Sequence, residues 1–124
     1  VRKENPGLNL PDNWATTVLK PRMIQIMRYC FLAARGSLDK RPGFFDLLGF
    51  DFMIDESMNV WLIEANVNPS LHFHNDSLRE PNRRLVEETL DVVIDVFDRR
   101  KKRKPISFAE APTREYELVY ESRS

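Results

Sequence analysis

The 124-residue sequence sets 19 Lys and Arg against 19 Asp and Glu, so its formal charge is zero and no global field draws it to nucleic acid or to a membrane. Hydrophobic residues make up 42% and charged residues 31%, with eight prolines, which suits one modest core with part of the chain outside it. The single cysteine, Cys30, excludes an internal disulfide, and neither a secretory segment nor a run of about 18 apolar residues occurs; a soluble cytoplasmic protein is expected.

Val1 to Asn13, with Asn5, Pro6, Gly7, Asn9, Pro11 and Asp12, reads as an irregular lead-in. Asn13 or Thr17 is placed to cap the helix that follows, and Pro21 fits its first turn. Met23, Ile24, Met27, Cys30, Phe31 and Ala34 recur at helical spacing up to Arg35, with Gly36 as the stop. This stripe reads as core, with Cys30 a small buried hydrophobe. Ser37 to Gly43 is a polar connector, read first as a solvated loop and second as a place where Lys40 or Arg41 approaches a phosphate.

Gly49 to Asp55 and Val60 to Glu64 are apolar runs separated by Glu56, Ser57, Met58 and Asn59, which predicts a hairpin with a four-residue loop. In that register Asp55 faces Val60, Met53 faces Leu62 and Asp51 faces Glu64. Phe50, Phe52, Ile54, Trp61 and Ile63 then form the opposite face, an apolar surface fit to lie on a helix. Glu64 and Asn66 lie two residues apart and so share a face with Asp51. Opposed carboxylates destabilise a ladder by roughly 0.2 to 1 kcal/mol unless a cation lies between them. Oxygen donors of this kind suit Mg²⁺, which takes a few protein oxygens together with water and nucleotide phosphates. Spacing alone supports equally an acidic strand edge facing water.

After Leu71, His72 and His74 lie on one side of an extended chain, but further zinc ligands at suitable spacing are missing and the reading is against a zinc site. Asp76 to Pro81 is a turn or short helical start in which Ser77 and Glu80 match a capping box. Asn82 to about Arg103 predicts a second amphipathic helix, with Val86, Leu90, Val93 and Phe97 on one stripe, packed on the sheet face of Phe50, Phe52 and Trp61. It ends in the basic run Arg99 to Lys104. That run reads as a solvated helix terminus, an import signal, or a surface that meets an acidic partner. Pro105 to Ser124 is expected to be a tail or a strand that pairs elsewhere.

The 28 residues from Phe44 to Leu71, FFDLLGFDFMIDESMNVWLIEANVNPSL, resemble the C-terminal motif of the tubulin–tyrosine ligase-like family. The Phe-Asp-Leu-Leu-Gly-Phe-Asp approach, the Val-Trp-Leu-Ile-Glu strand and the Asn-x-Asn-Pro-Ser-Leu exit fall in family order, with a looser likeness from Trp14 to Phe97. The resemblance implies an α/β ATP-grasp C-terminal segment, antiparallel strands packed against flanking helices, over residues 1–104, with 105–124 as tail. It implies Asp51, Glu64 and Asn66 as Mg²⁺ ligands holding ATP phosphates, and Asn68 and Ser70 as contacts to phosphate or to the incoming amino acid. None of these residues is a nucleophile. The expected activity is ATP-dependent ligation of glutamate or glycine to a protein carboxylate, on the acidic tails of tubulin, in the cytoplasmic microtubule cytoskeleton or cilium. No glycine-rich phosphate flap or nucleotide lysine precedes the strands, so a larger catalytic unit is expected. The alternatives are a non-catalytic microtubule-binding module and an ATP-grasp ligase of small molecules.

Overall fold

The computed structural model of the protein describes residues 10–71 and 76–122. The first helix begins early. Asn13 contributes its backbone carbonyl, which accepts from the amides and hydroxyls of Thr16 and Thr17, and no side chain of Asn13 or Thr17 caps a helix end. A wide π-helical turn, Ala15–Leu19, leads directly into α1, Lys20–Ala34. Pro21 explains the widening: it has no N–H for the carbonyl four residues back, and its ring crowds that carbonyl. Past Ala34 the amides of Arg35 and Ser37 turn back onto Phe31 and Ala34, and the helix ends at the predicted place.

Strands β1, Gly49–Ile54, and β2, Val60–Asn66, form one antiparallel hairpin. Asp51 pairs with Glu64 as expected, but Met53 pairs with Trp61, Phe52 with Leu62 and Ile54 with Val60. The predicted pairings Met53–Leu62 and Asp55–Val60 are therefore each off by one. The cause is the turn. Asp55 donates its amide to the Asn59 carbonyl (3.0 Å) and accepts at its own carbonyl from the Met58 amide (2.9 Å), so the loop closes in three residues with Met58 left-handed at φ 63°. Ile63 is the extra residue of a bulge between Leu62 and Glu64, and it restores the predicted phase at Asp51.

The slip also exchanges the residues on the two faces. Phe50 and Phe52 stack with ring centroids 6.4 Å apart, and Phe31 of α1 meets Phe50 at the same spacing. Leu62, paired with Phe52, lies on that half-buried side; Trp61 pairs with Met53 on the other and is 55% exposed. The helix that meets this face through its aromatic ring is α1, rather than the second helix.

Helix α2, Asp76–Lys101, takes in Asp76 to Pro81 as its start, so that Pro81 lies inside it. The Glu80 carboxylate is engaged by Arg83 at 2.8 Å and approached by Arg84. The segment 105–122 continues from α2 with a short 3₁₀ turn, Phe108–Glu110. It is joined to both helices by side chains. The Arg28 guanidinium donates to the Val119 carbonyl (2.7 Å), Lys20 pairs with Glu117, and the Tyr116 and Thr89 hydroxyls lie 2.7 Å apart.

Among the described residues no hydrophobic side chain is fully buried, and the one buried polar group is Glu88 at 3% exposure. The accessible surface is 10156 Å², against roughly 6,900 Å² for a compact monomer of this mass. Much apolar surface therefore faces solvent, including Tyr29, Phe44, Phe45, Ile94 and Phe97. No described helix is long and apolar enough to cross a membrane.

Candidate metal and nucleotide site

The hairpin brings Asp51, Glu64 and Asn66 together. Asp51 and Glu64 are direct neighbours across the ladder, and Asn66 stands two residues beyond Glu64, paired with Gly49. The Asn66 amide nitrogen donates to Asp51 Oδ2 and to Glu64 Oε1, each at 3.2 Å. One amide group thus sits between two carboxylates, where it offsets part of their repulsion. All three side chains border solvent: Asp51 and Glu64 are exposed and Asn66 is half-buried.

The donor set suits a hard divalent cation. Two carboxylates and an amide give a small, oxygen-rich, incomplete coordination shell, the arrangement Mg²⁺ shares with water and phosphate oxygens. The amide nitrogen lies between the carboxylates, 3.2 Å from an oxygen of each. Rotating the Asn66 amide by half a turn exchanges nitrogen for oxygen and converts a donor into a third ligand. Among the described residues no group of three or more His, Cys, Asp or Glu that could hold a metal ion occurs.

Asn68 and Ser70 are brought near in sequence but do not join the triad; both are exposed in the stretch beyond β2, with no hydrogen bond to its members among the described residues. Between them, Pro69 folds back over β1. A Cβ on Gly49 would meet Pro69 Cβ at 3.1 Å, so glycine is what lets the exit of β2 lie against the start of β1. His72 and His74 lie outside the described residues. Lys40 and Arg41 border a groove that shares no residue with the triad, and Arg41 is held by the Asp39 carboxylate at 3.0 Å.

Two residues on the face that carries Asp51 were misassigned from the sequence or passed over. Met53 and Trp61 pair beside Asp51 and are 54% and 55% exposed, so an apolar shelf adjoins the acidic group. Trp61 is oriented by its indole N–H, which donates to Asp55 Oδ2 at 3.0 Å. That bond, with those from the side chain and amide of Asn59 and the amide of Ser57, holds the Asp55 carboxyl below the usual aspartate range. Asp55 thereby ties the turn to the shelf.

Residues 3–102 match the profile of the Tubulin-tyrosine ligase family. The chain is 50% identical over 88 residues to a protein of Homo sapiens named Inactive polyglycylase TTLL10, covering 71% of this chain and 13% of that one. It is 47% identical over 90 residues to Protein polyglycylase TTLL10 of Macaca fascicularis, covering 73% and 15%. Tubulin glycylase 3D of Tetrahymena thermophila is 31% identical over 77 residues, covering 62% and 7%. The chain thus spans a small fraction of the length of these relatives. No solved structure matches it.

Proposed function

The chain belongs to the tubulin–tyrosine ligase family, and from that premise we propose that it supplies the Mg²⁺ and ATP phosphate site of an ATP-grasp ligase joining an amino acid to a protein carboxylate. The observation that carries this reading is the convergence of Asp51, Glu64 and Asn66, bridged through one amide at 3.2 Å. Asp51 and Glu64 provide the charge that retains a divalent cation, and the Asn66 amide oxygen is its third ligand. Met53 and Trp61 provide an apolar shelf alongside, which fits the flat face of a purine. Asn68 and Ser70 are in reach of the anionic end of the nucleotide or of the incoming amino acid once the Pro69 turn is set.

The chemistry consistent with this site is attack of an acceptor carboxylate oxygen on the ATP γ-phosphorus, releasing ADP and giving an acylphosphate; the amine of a free amino acid then attacks the acyl carbon, inorganic phosphate leaves, and an amide bond with loss of the amine proton results. A bound Mg²⁺ supplies charge neutralisation between the two anions and orients the γ-phosphoryl group. Glycine is the amino acid supported by relatives named polyglycylase and tubulin glycylase, and the second name also supports tubulin as the acceptor; action on its acidic tails, in the microtubule cytoskeleton or cilium, is part of the same proposal.

The test is ATP-dependent transfer of labelled glycine to tubulin by the full-length protein. Asp51→Asn and Glu64→Gln are each expected to reduce transfer by about a hundredfold or more with an unchanged circular dichroism spectrum. Full activity in either variant would overturn the site. A second reading, a non-catalytic module that binds microtubules, is favoured by the human relative's name, which calls it inactive. It requires co-sedimentation with microtubules that survives loss of all three ligands, together with no ATP-dependent transfer by the unaltered protein.

A further inference from the structure

The basic run at the end of α2 is followed by a single nearby hydroxyl, that of Ser107. Helix α2 stops at Lys101, and the chain from Lys102 to Ile106 is exposed and outside any helix or strand. Arg103 there is left-handed at φ 53°, which is unfavourable for a side chain with a Cβ, so this turn is the weak point at which the run can leave the helix. Ser107 itself is half-buried and extended, at φ −130° and ψ 121°, and its side chain caps nothing at the 3₁₀ turn Phe108–Glu110. Reaching its hydroxyl requires no helix to unwind.

The charge pattern around Ser107 is one-sided. Lys101, Lys102, Arg103 and Lys104 precede it, and Phe108 follows directly. Once the Arg103 turn opens into an extended chain, the step of two from Lys102 to Lys104 puts both cations on one face. Such a segment complements a groove lined by carboxylates with an apolar pocket beyond the reacting hydroxyl, the kind of charge pattern by which kinases select substrates. Phe108 excludes an enzyme that requires proline after the serine. Glu110 is the carboxylate that an acid-directed kinase would read, but Arg99 holds it at 2.6 Å, and the preceding cations oppose a basic groove.

We propose that Ser107 is a phosphorylation site for a basophilic protein kinase, whose carboxylate-lined groove reads Lys102 and Lys104. The Ser107 hydroxyl oxygen attacks the γ-phosphorus of the ATP held by that kinase, the bond from phosphorus to the bridging oxygen breaks to release ADP, and the hydroxyl proton passes to the kinase's base. The fold has a place for the product. Ser107 borders a hollow of about 390 Å³ together with Arg99, Lys102 and Lys104 and the carboxylates of Asp95, Asp98 and Glu110. Arg99 is engaged by Asp95 and Glu110 and Lys102 by Asp98, whereas Lys104 has no ion pair among the described residues. Lys104 is thus the cation left to meet a phosphate of about −1.5 to −2 charges. The inference stands apart from the ligase reading, since this hollow shares no residue with Asp51, Glu64 or Asn66.

The test is transfer of labelled phosphate from ATP to the full-length protein by a purified lysine- and arginine-directed kinase, with the modified residue located by mass spectrometry. The expected result is phosphate on Ser107, lost in Ser107→Ala and restored in Ser107→Thr. Lys102→Ala combined with Lys104→Ala should lower kcat/KM for the phosphorylation by about tenfold or more, with an unchanged circular dichroism spectrum. The proposal is overturned if Ser107 stays unmodified while another residue or none takes the phosphate, or if removing the two lysines is silent. It also fails if an acid-directed kinase modifies Ser107 as fast.

Discussion

Gly49 and Pro69 touch across the mouth of the hairpin, with room between them for a hydrogen at Gly49 and little more. This contact sets where the chain goes after Asn66. Gly49→Ala would push a methyl to 3.1 Å from Pro69 Cβ, and overpacking of this kind costs about 1 kcal/mol when the neighbour can shift. The shift falls on the exit carrying Asn66 and Asn68. Affinity for Mg·ATP should drop by about tenfold while the melting temperature moves only a few degrees. Calorimetric titration beside a melt separates the two effects.

Glu88 predicts a pH-dependent attachment of the C-terminal segment. Its carboxylate accepts from the amides of Arg114 (2.6 Å), Glu115 (3.0 Å) and Tyr116 (2.9 Å). Burial alone pushes the carboxyl up, but the amides of Tyr116, Arg114 and Glu115 outweigh it and hold it below the usual glutamate range. A depressed folded value means that the attachment is fully present above about pH 4.3 and is lost as pH falls through the folded value. Glu88→Gln removes the charge and turns an amide N–H toward N–H donors. Hydrogen exchange at 114–116 should quicken by about tenfold or more at neutral pH.

The basic run divides into structural and solvent-facing members. Arg99 is 19% exposed in its side chain and bridges Asp95 (2.8 Å) and Glu110 (2.6 Å), whereas Arg100 borders the groove and has no ion pair among the described residues. Arg99→Ala should lower the melting temperature by several degrees. Arg100→Ala should leave it within about a degree.

Arg103 closes α2 in the left-handed conformation at φ 53°, with the Lys104 amide returning to the Arg99 carbonyl at 2.8 Å and the Arg103 amide to Arg100 at 3.1 Å. Glycine is the residue this cap favours. Arg103→Gly should raise stability by about 0.5 to 1 kcal/mol, read as a higher urea midpoint at unchanged slope.

The helical stripe of α1, both strands and the neighbourhood of Asp51, Glu64 and Asn66 were legible from spacing and residue type. The turn was not, because Met58 takes a left-handed position that ordinarily advertises itself as glycine or asparagine. Its three-residue closure moved Trp61 to the exposed face, and the Ile63 bulge then returned Glu64 to Asp51. The predicted pair survived through two displacements that offset each other. Glu88 was hidden for another reason: a glutamate on an amphipathic helix reads as solvent-facing until the distant amides of 114–116 are known.

Binding of Mg·ATP to the full-length protein and to its Asp51→Asn and Glu64→Gln variants tests the hairpin site most directly. The account predicts tight, magnesium-dependent binding in the unaltered protein and a loss of about a hundredfold or more in each variant, with the Asp55 turn and the helices intact by hydrogen exchange. Equal affinity in all three proteins, or nucleotide binding indifferent to magnesium, would contradict it.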